Sequence, residues 1–353
     1  MRIRRRAVFI SAVLCFVPAI WLACSDDDAA VSSPPDSGST PGADVVTTPS
    51  DSATSTDTST GTDSGTDSGI QRGPVSIDFD PTPGNGDPIS AVWDDATSTL
   101  YIADNRNNQI WKWTDKGGFA KLTTVKDDPV ATDGGRQSLG QIVKLADGTL
   151  VVPRFGAGFV SAILYVNPTT GDGGAVEGIN PTPKRTAMTA DPTGQLWGGY
   201  FFQPNGSGDA VVTKVNLATG ETDYATGFDK PVGALVTGGK LLVSEQYQGK
   251  IYALAMDGTT TAPPYTVFAE VPSTDALTEG PGGSIFTGQF RPLSDGGPLQ
   301  VRQAFPDGGV KIVHPTITFA KPQGVAYDKT NKRLFVLDSN GTTVRTMKIL
   351  PID

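Results

Sequence analysis

Seven side chains have the types and spacing to line one binding site: Asp104, Arg154, Tyr200, Glu245, Asp275, Gln289 and Asp338. Six of them close short apolar runs, "LYIAD", "LVVPR", "LWGGY", "LLVSE", "IFTGQ" and "LFVLD", while Asp275 opens "DALTE". A ring of carboxylates from Asp104, Glu245, Asp275 and Asp338 could hold Ca²⁺, another divalent cation or a cationic ligand, because hard cations need several oxygen donors. Asp275, Glu245 and Asp338 are the expected metal ligands, with Arg154 beside Asp104. Asp104 and Asp338 equally suit turn positions that accept hydrogen bonds from backbone N–H groups. Asp104 and Arg154 then form a simple ion pair.

Other chemistries are short of parts. His314 is the single histidine and follows the apolar "VKIV", away from the other candidates. That removes a histidine base and with it a Ser-His-Asp or His-rich zinc arrangement. Cys15 and Cys24 both fall near the N-terminus, so the body has neither a disulfide nor thiol chemistry. "GAG" at Gly156–Gly158 is too short for a phosphate loop. No residue is assigned a catalytic role.

The elements that must position these residues repeat. The runs above begin at Leu100, Leu150, Leu196, Leu241, Ile285 and Leu334, at spacings of 50, 46, 45, 44 and 49. Each follows a turn such as "ADGT" or "DPTGQ", and before each turn lies another apolar stretch, such as "ISAVW" or "VGALV". A third strand comes next ("QIWKW", "AILYV", "VVTKV", "KIYAL"), then a Gly-rich turn and a fourth strand such as "YTVFAEV". Asp-Gly and Gly-Gly supply the positive φ of tight hairpins. Four short antiparallel strands repeating every 46 residues or so predict an all-β fold, a six-bladed β-propeller with blades near 88–127, 138–179, 184–228, 230–271, 274–317 and 320–350. The sixth unit contains three strands, and "PVSIDFD" at 74–80 belongs to none. The N-terminal strand is therefore expected to complete the last blade and latch the ring.

In such a ring, first strands begin and second strands end on one face. The expected pairs are Ile89 with Asp104, Leu139 with Arg154, Thr186 with Tyr200, Val232 with Glu245, Asp275 with Gln289, and Gln323 with Asp338. Trp93, Trp111, Trp113 and Trp197 are expected to fill the space between blades.

Residues 1–23 combine Arg2, Arg4, Arg5 and Arg6 with the uncharged run Ala7–Ala23, which reads as an export signal. Leu22-Ala23-Cys24 resembles a bacterial lipoprotein cleavage box, which implies lipidation of Cys24 and attachment to a membrane of the cell envelope. Residues 24–73 are rich in Ser, Thr, Asp, Gly and Pro, without an aromatic side chain. Too little apolar surface offsets their chain entropy, so a disordered tether is expected. The body, 74–353, carries 23 basic and 28 acidic residues, a balance that argues against a nucleic-acid partner. A monomer is expected.

"AVWDDATSTLYIADNRNNQIWKW", "DPTGQLWGG", "TEGPGGSIFTG" and "PQGVAYDKTNKRLFVLDS" resemble blades of the senescence-marker-protein/gluconolactonase and NHL-repeat propellers. The lactonases of that group hold a divalent metal through a Glu, two Asn and an Asp at the starts of four first strands. The resemblance places those positions at Ile89, Thr186, Val232 and Asp275, of which Asp275 alone keeps its ligand. Two functions follow as expectations. One is a tethered, non-enzymatic protein binding a protein or small molecule at a rim that includes Leu139, Tyr200, Phe201 and Phe290. The other is a divergent metal-dependent lactone hydrolase.

Overall fold

The computed structural model describes residues 73–79, 86–125, 137–156, 161–202, 209–257, 262–292 and 296–353. All belong to one compact unit, Asp67–Asp353. The expected export signal, Cys24 and all but the end of the expected tether lie outside the described residues.

Six antiparallel sheets form the ring. Blade one contains Pro88–Asp94, Thr99–Asp104, Gln109–Thr114 and Gly118–Thr124, from the axis outwards. In blade two the inner strand is split into Gln137–Leu139 and Val143–Lys144, followed by Leu150–Gly156, Ala162–Val166 and Gly173–Ala175. Blade three is Lys184–Ala190, Leu196–Phe201, Ala210–Asn216 and Gly220–Phe228. Blade four is Pro231–Thr237, Lys240–Glu245, Lys250–Leu254 and Thr266–Glu270. Blade five is Thr274–Glu279, Ile285–Gln289, Arg302–Ala304 and Val310–Ile312. Blade six is Pro322–Asp328, Arg333–Ser339 and Arg345–Pro351, and its outermost strand is Val75–Asp78 from the N-terminal end. Val75 pairs with Ile349 and Asp78 with Thr346, so the latch covers an edge that would otherwise be open. Among the described residues, the helical element is a 3₁₀ turn at Pro281–Gly283, and no helix is long and apolar enough to cross a membrane.

Strand periodicity explains how the ring holds without disulfides. Alternate side chains of a strand face opposite sides of its sheet. Leu334 and Val336 therefore pack towards blade five, beside Phe286 and Val301. Phe335 and Leu337 pack towards blade one, beside Trp111 and Trp113. The same division recurs, so six apolar layers among the described residues each join two neighbouring blades. The layer closing the ring is aromatic. Trp93 stacks on Phe335 at 5.1 Å, and Phe79, just past the latch strand, meets Trp111 and Phe119 edge-on at 6.0 and 5.1 Å. Leu139, expected at the rim, is fully buried in the layer between blades one and two.

A bulge near the start of the inner strand corrects the expected register in every blade except blade two. Pro88 pairs with Asp104, Arg185 with Tyr200, Pro231 with Glu245, Thr274 with Gln289 and Pro322 with Asp338. Leu139 opposite Arg154 stands as expected. One extra residue is inserted immediately afterwards in each of the five, which leaves Ile89, Thr186, Val232, Asp275 and Gln323 beside the ladder rather than in it. Bulges turn a strand and re-aim its side chains. In blades four and six the residue after the bulge approaches the next blade closely. A Cβ at Gly233 would lie 2.5 Å from the Asp275 carbonyl oxygen, and one at Gly324 would lie 2.7 Å from that of Ile89. Glycine is required there by space.

Candidate functional site: the mouth of the channel

The channel is shut a short way below this face. Gln141, on blade two, reaches across the ring to the inner strands of blades four and five. Its Nε2 donates to the carbonyls of Ala234 (2.9 Å) and Leu277 (3.3 Å), and its Oε1 accepts from the Ala234 N–H (2.9 Å). Blades two and five stand opposite each other in the ring, so one glutamine makes a floor and the mouth above it is a shallow cup.

The carboxylates expected to form a metal ring are occupied elsewhere. Asp104 accepts from the backbone N–H of Asp87 (2.8 Å) and of Arg106 (3.1 Å), and from Asn107 (3.0 Å). Glu245 accepts from the N–H of Asp229, Lys230 and Tyr247. Asp338 accepts from the N–H of Ala320 and Lys321, and Lys348 lies 3.4 Å from its other oxygen. These three acids are at most 1% exposed. Each fixes the chain entering its blade's inner strand. Burial raises the pKa of Asp104 and Glu245, and the backbone donors partly offset it. Gln289 serves the same end on blade five, donating to the Pro272 carbonyl and accepting from the Gln300 N–H. Among the described residues, no three His, Cys, Asp or Glu side chains converge as a metal site.

The remaining candidates point away from the axis or into the core. Tyr200 donates to Asp223 on the outer strand of blade three (3.1 Å) and lies over the Arg185 guanidinium. Arg154 is buried, at 3% exposure. His314 donates from Nε2 to the Pro351 carbonyl (2.7 Å), tying blade five to blade six.

What does gather at the mouth is cationic and aromatic, around the half-buried Asp275. Lys230 Nζ lies 5.1 Å from the ring centres of Tyr247 and Phe290 and 5.6 Å from that of Phe201. Lys321 Nζ is 4.0 Å from the Phe290 ring. The Arg291 guanidinium lies 5.6 Å from Phe290 and 6.0 Å from Tyr247. Burial pushes the Asp275 carboxyl up to about 7, against the pull of Lys230, Lys321, Gln323 and the Ala276 N–H. Burial lowers Lys230 to about 8; Arg291 and Lys184 add to that, while Asp275 and Glu245 oppose it. Each group of this pair is thus driven towards its neutral form near neutral pH.

Asp275 and Phe290 stand out in the sequence as rim candidates; Lys230, Lys321, Arg291 and Gln141 do not. A signal is present, since "KPVG" at Lys230 and "KPQG" at Lys321 set the same lysine two residues before the bulge in two blades. Gln141 stands where the other inner strands carry Ala91, Met188, Ala234, Leu277 and Val325, a lone amide in an apolar column.

No family model matches the chain, and no curated protein matches it. Solved structures do, and they share its fold, a six-bladed β-propeller that is similar to those of gluconolactonases. A luciferin-regenerating enzyme is 15% identical with a TM-score of 0.59, over 79% of this chain and 95% of its own. A gluconolactonase from Xanthomonas campestris is 17% identical with a TM-score of 0.58, over 76% and 87%. Regucalcin, a calcium-binding protein from Agrobacterium tumefaciens, is 13% identical with a TM-score of 0.56, over 75% and 90%. At these identities the likeness is one of fold.

Proposed function

We propose that the chain is an exported, lipid-anchored binding protein whose propeller takes a ligand at the channel mouth without transforming it. Leu22-Ala23-Cys24 and the polar stretch after it support the anchor. One observation carries the binding role. Asp104, Glu245 and Asp338 are spent on backbone amides, while Asp275 has Lys230 and Lys321 as its charged neighbours. A divalent ion at Asp275 would meet two ammonium groups and lack further carboxylates.

Calorimetric titration with Ca²⁺, Mg²⁺ and Zn²⁺, on wild type and Asp275→Ala, tests this reading. No heat of tight binding is expected; tight binding abolished by the substitution overturns it. Incorporation of a palmitate analogue, lost in Cys24→Ser, is expected for the anchor. A second reading, a divergent lactone hydrolase, is favoured by the Asp275–Lys230 pair, whose shifted proton affinities suit acid–base work near neutral pH. Gluconolactone hydrolysis lost in both Asp275→Asn and Lys230→Gln would establish it.

A further inference from the structure

The mouth holds more positive charge than its own acids neutralise. Lys184, Lys230, Arg291 and Lys321 are close enough to affect one another or Asp275, and among the described residues none of the four forms an ion pair. Lys230 and Lys321 stand against aromatic faces, where water solvates an ammonium less well than in the open. Charge so placed is available to a ligand. Four cations against two acids, Asp275 and Glu245, leave net positive charge, which favours an anion.

The surroundings describe the rest of the ligand. The Gln141 floor keeps anything bound near the surface. Tyr247 and Phe202, on the loops of blades four and three at this face, are 41% and 39% exposed and are the most exposed aromatic rings among the described residues. Tyr247 forms part of the wall of a groove of about 300 Å³ on the outer side of blade four, whose lining includes Gln246, Pro272, Ser273 and the Lys250–Glu270 pair, roomy enough for a single ring. Open aromatic faces beside unpaired cations suit a planar apolar body bearing an acid.

Building on the binding role proposed above, we propose that the cup recognises a small aromatic monocarboxylate, its carboxylate set between Lys230 and Lys321 and its ring laid against Tyr247 and Phe290. A cationic ligand does not suit the site, because it would meet the Lys230 and Lys321 ammoniums beside those rings. Binding strengthens as Asp275, which faces Lys230, Lys321 and Gln323, takes up a proton.

The test is calorimetric titration of the purified full chain with benzoate, its neutral counterpart benzamide, acetate and inorganic phosphate, at pH 6 and pH 8. Benzoate is expected to bind, more tightly at pH 6, and benzamide to fail. Lys321→Gln and Lys230→Gln each weaken benzoate at least tenfold, and Tyr247→Ala weakens benzoate more than acetate. Thermal unfolding of each variant checks its fold. Should Lys230→Gln misfold, Lys321→Gln decides the matter. Equal binding of benzamide, tighter binding of phosphate, benzoate binding that survives Lys321→Gln, or no benzoate binding at either pH overturns the proposal. Such a failure is separate from failure of the binding role, which the metal titration decides.

Discussion

Two clusters of cations and aromatic rings stand on opposite faces of the ring, and they are compensated in opposite ways. At the far end from the mouth, Arg333 lies 5.3, 5.8 and 5.0 Å from the rings of Trp93, Trp113 and Phe335. Its Nη1 and Nη2 donate to both oxygens of Asp115 on blade one (2.6 and 2.7 Å), and its Nε donates to the fully buried Asp328 (2.8 Å). Burial alone would lower its pKa, but these two carboxylates more than reverse that and raise it. Each nitrogen of the guanidinium donates to a carboxylate, and the group clamps blade six to blade one where the ring closes. At the mouth, Lys230, Lys321 and Arg291 stand against aromatic faces with two acids near Lys230, Asp275 and Glu245, whose ionisation burial opposes. A paired, fork-shaped charge holds structure together. An underpaired set of point charges lowers stability where it stands and keeps its attraction for something else.

Substitutions at the two ends test that contrast, in order of expected effect. Asp328→Ala removes one of the two carboxylates that hold Arg333, leaving Asp115, and frees the buried Arg333 Nε–H and the Thr330 and Asn331 N–H donors. A loss of about 3–5 kcal/mol is expected in chemical denaturation, and a loss under about 1 kcal/mol would mean the clamp is ornamental. Phe79→Ala empties the pocket between Trp111 and Phe119 behind the latch strand, at about 3–4 kcal/mol. Deleting Val75–Asp78 should likewise lower the melting temperature, and an unchanged value would refute the latch.

Asp275→Asn should act in the other direction. The raised pKa of Asp275 means that its favourable contribution is complete below its ordinary value of 3.8 and is lost as pH rises through about 7. Relative to wild type, the variant gains about 1–3 kcal/mol at pH 8 and little at pH 4. A denaturation series across that range reads it, and a pH-independent difference would remove Asp275 from the cup's electrostatics. Smallest is Lys230→Met, expected to leave stability within about 1 kcal/mol of wild type at pH 7. Arg333→Met, by contrast, strips two carboxylates of their partner and should cost about 3 kcal/mol. Equal costs would erase the distinction between the clusters.

The division between sequence and structure follows chain separation. Strand periodicity, hairpin glycines and the six-fold recurrence of one unit are local patterns, so the blades, their number and the latch strand can all be read from the residues alone. Even the spare character of Asp104 and Asp338 as turn residues is legible there. What a repeat cannot reveal is a displacement of one residue. The bulges at Ile89, Thr186, Val232, Asp275 and Gln323 shift each inner strand against its partner, and the paired positions move with them.

The site required the closed ring. Lys230, Asp275 and Lys321 come from three blades, and Gln141 finds its partners 93 and 136 residues away. Only their convergence removes them from water and brings one charge under another's influence. The sequence determined that this chain folds as a propeller, because burying alternate faces of short strands leaves it little else to do. Tertiary structure decided which residues of that propeller face a ligand, because burial and proximity between blades exist only once the ring has closed.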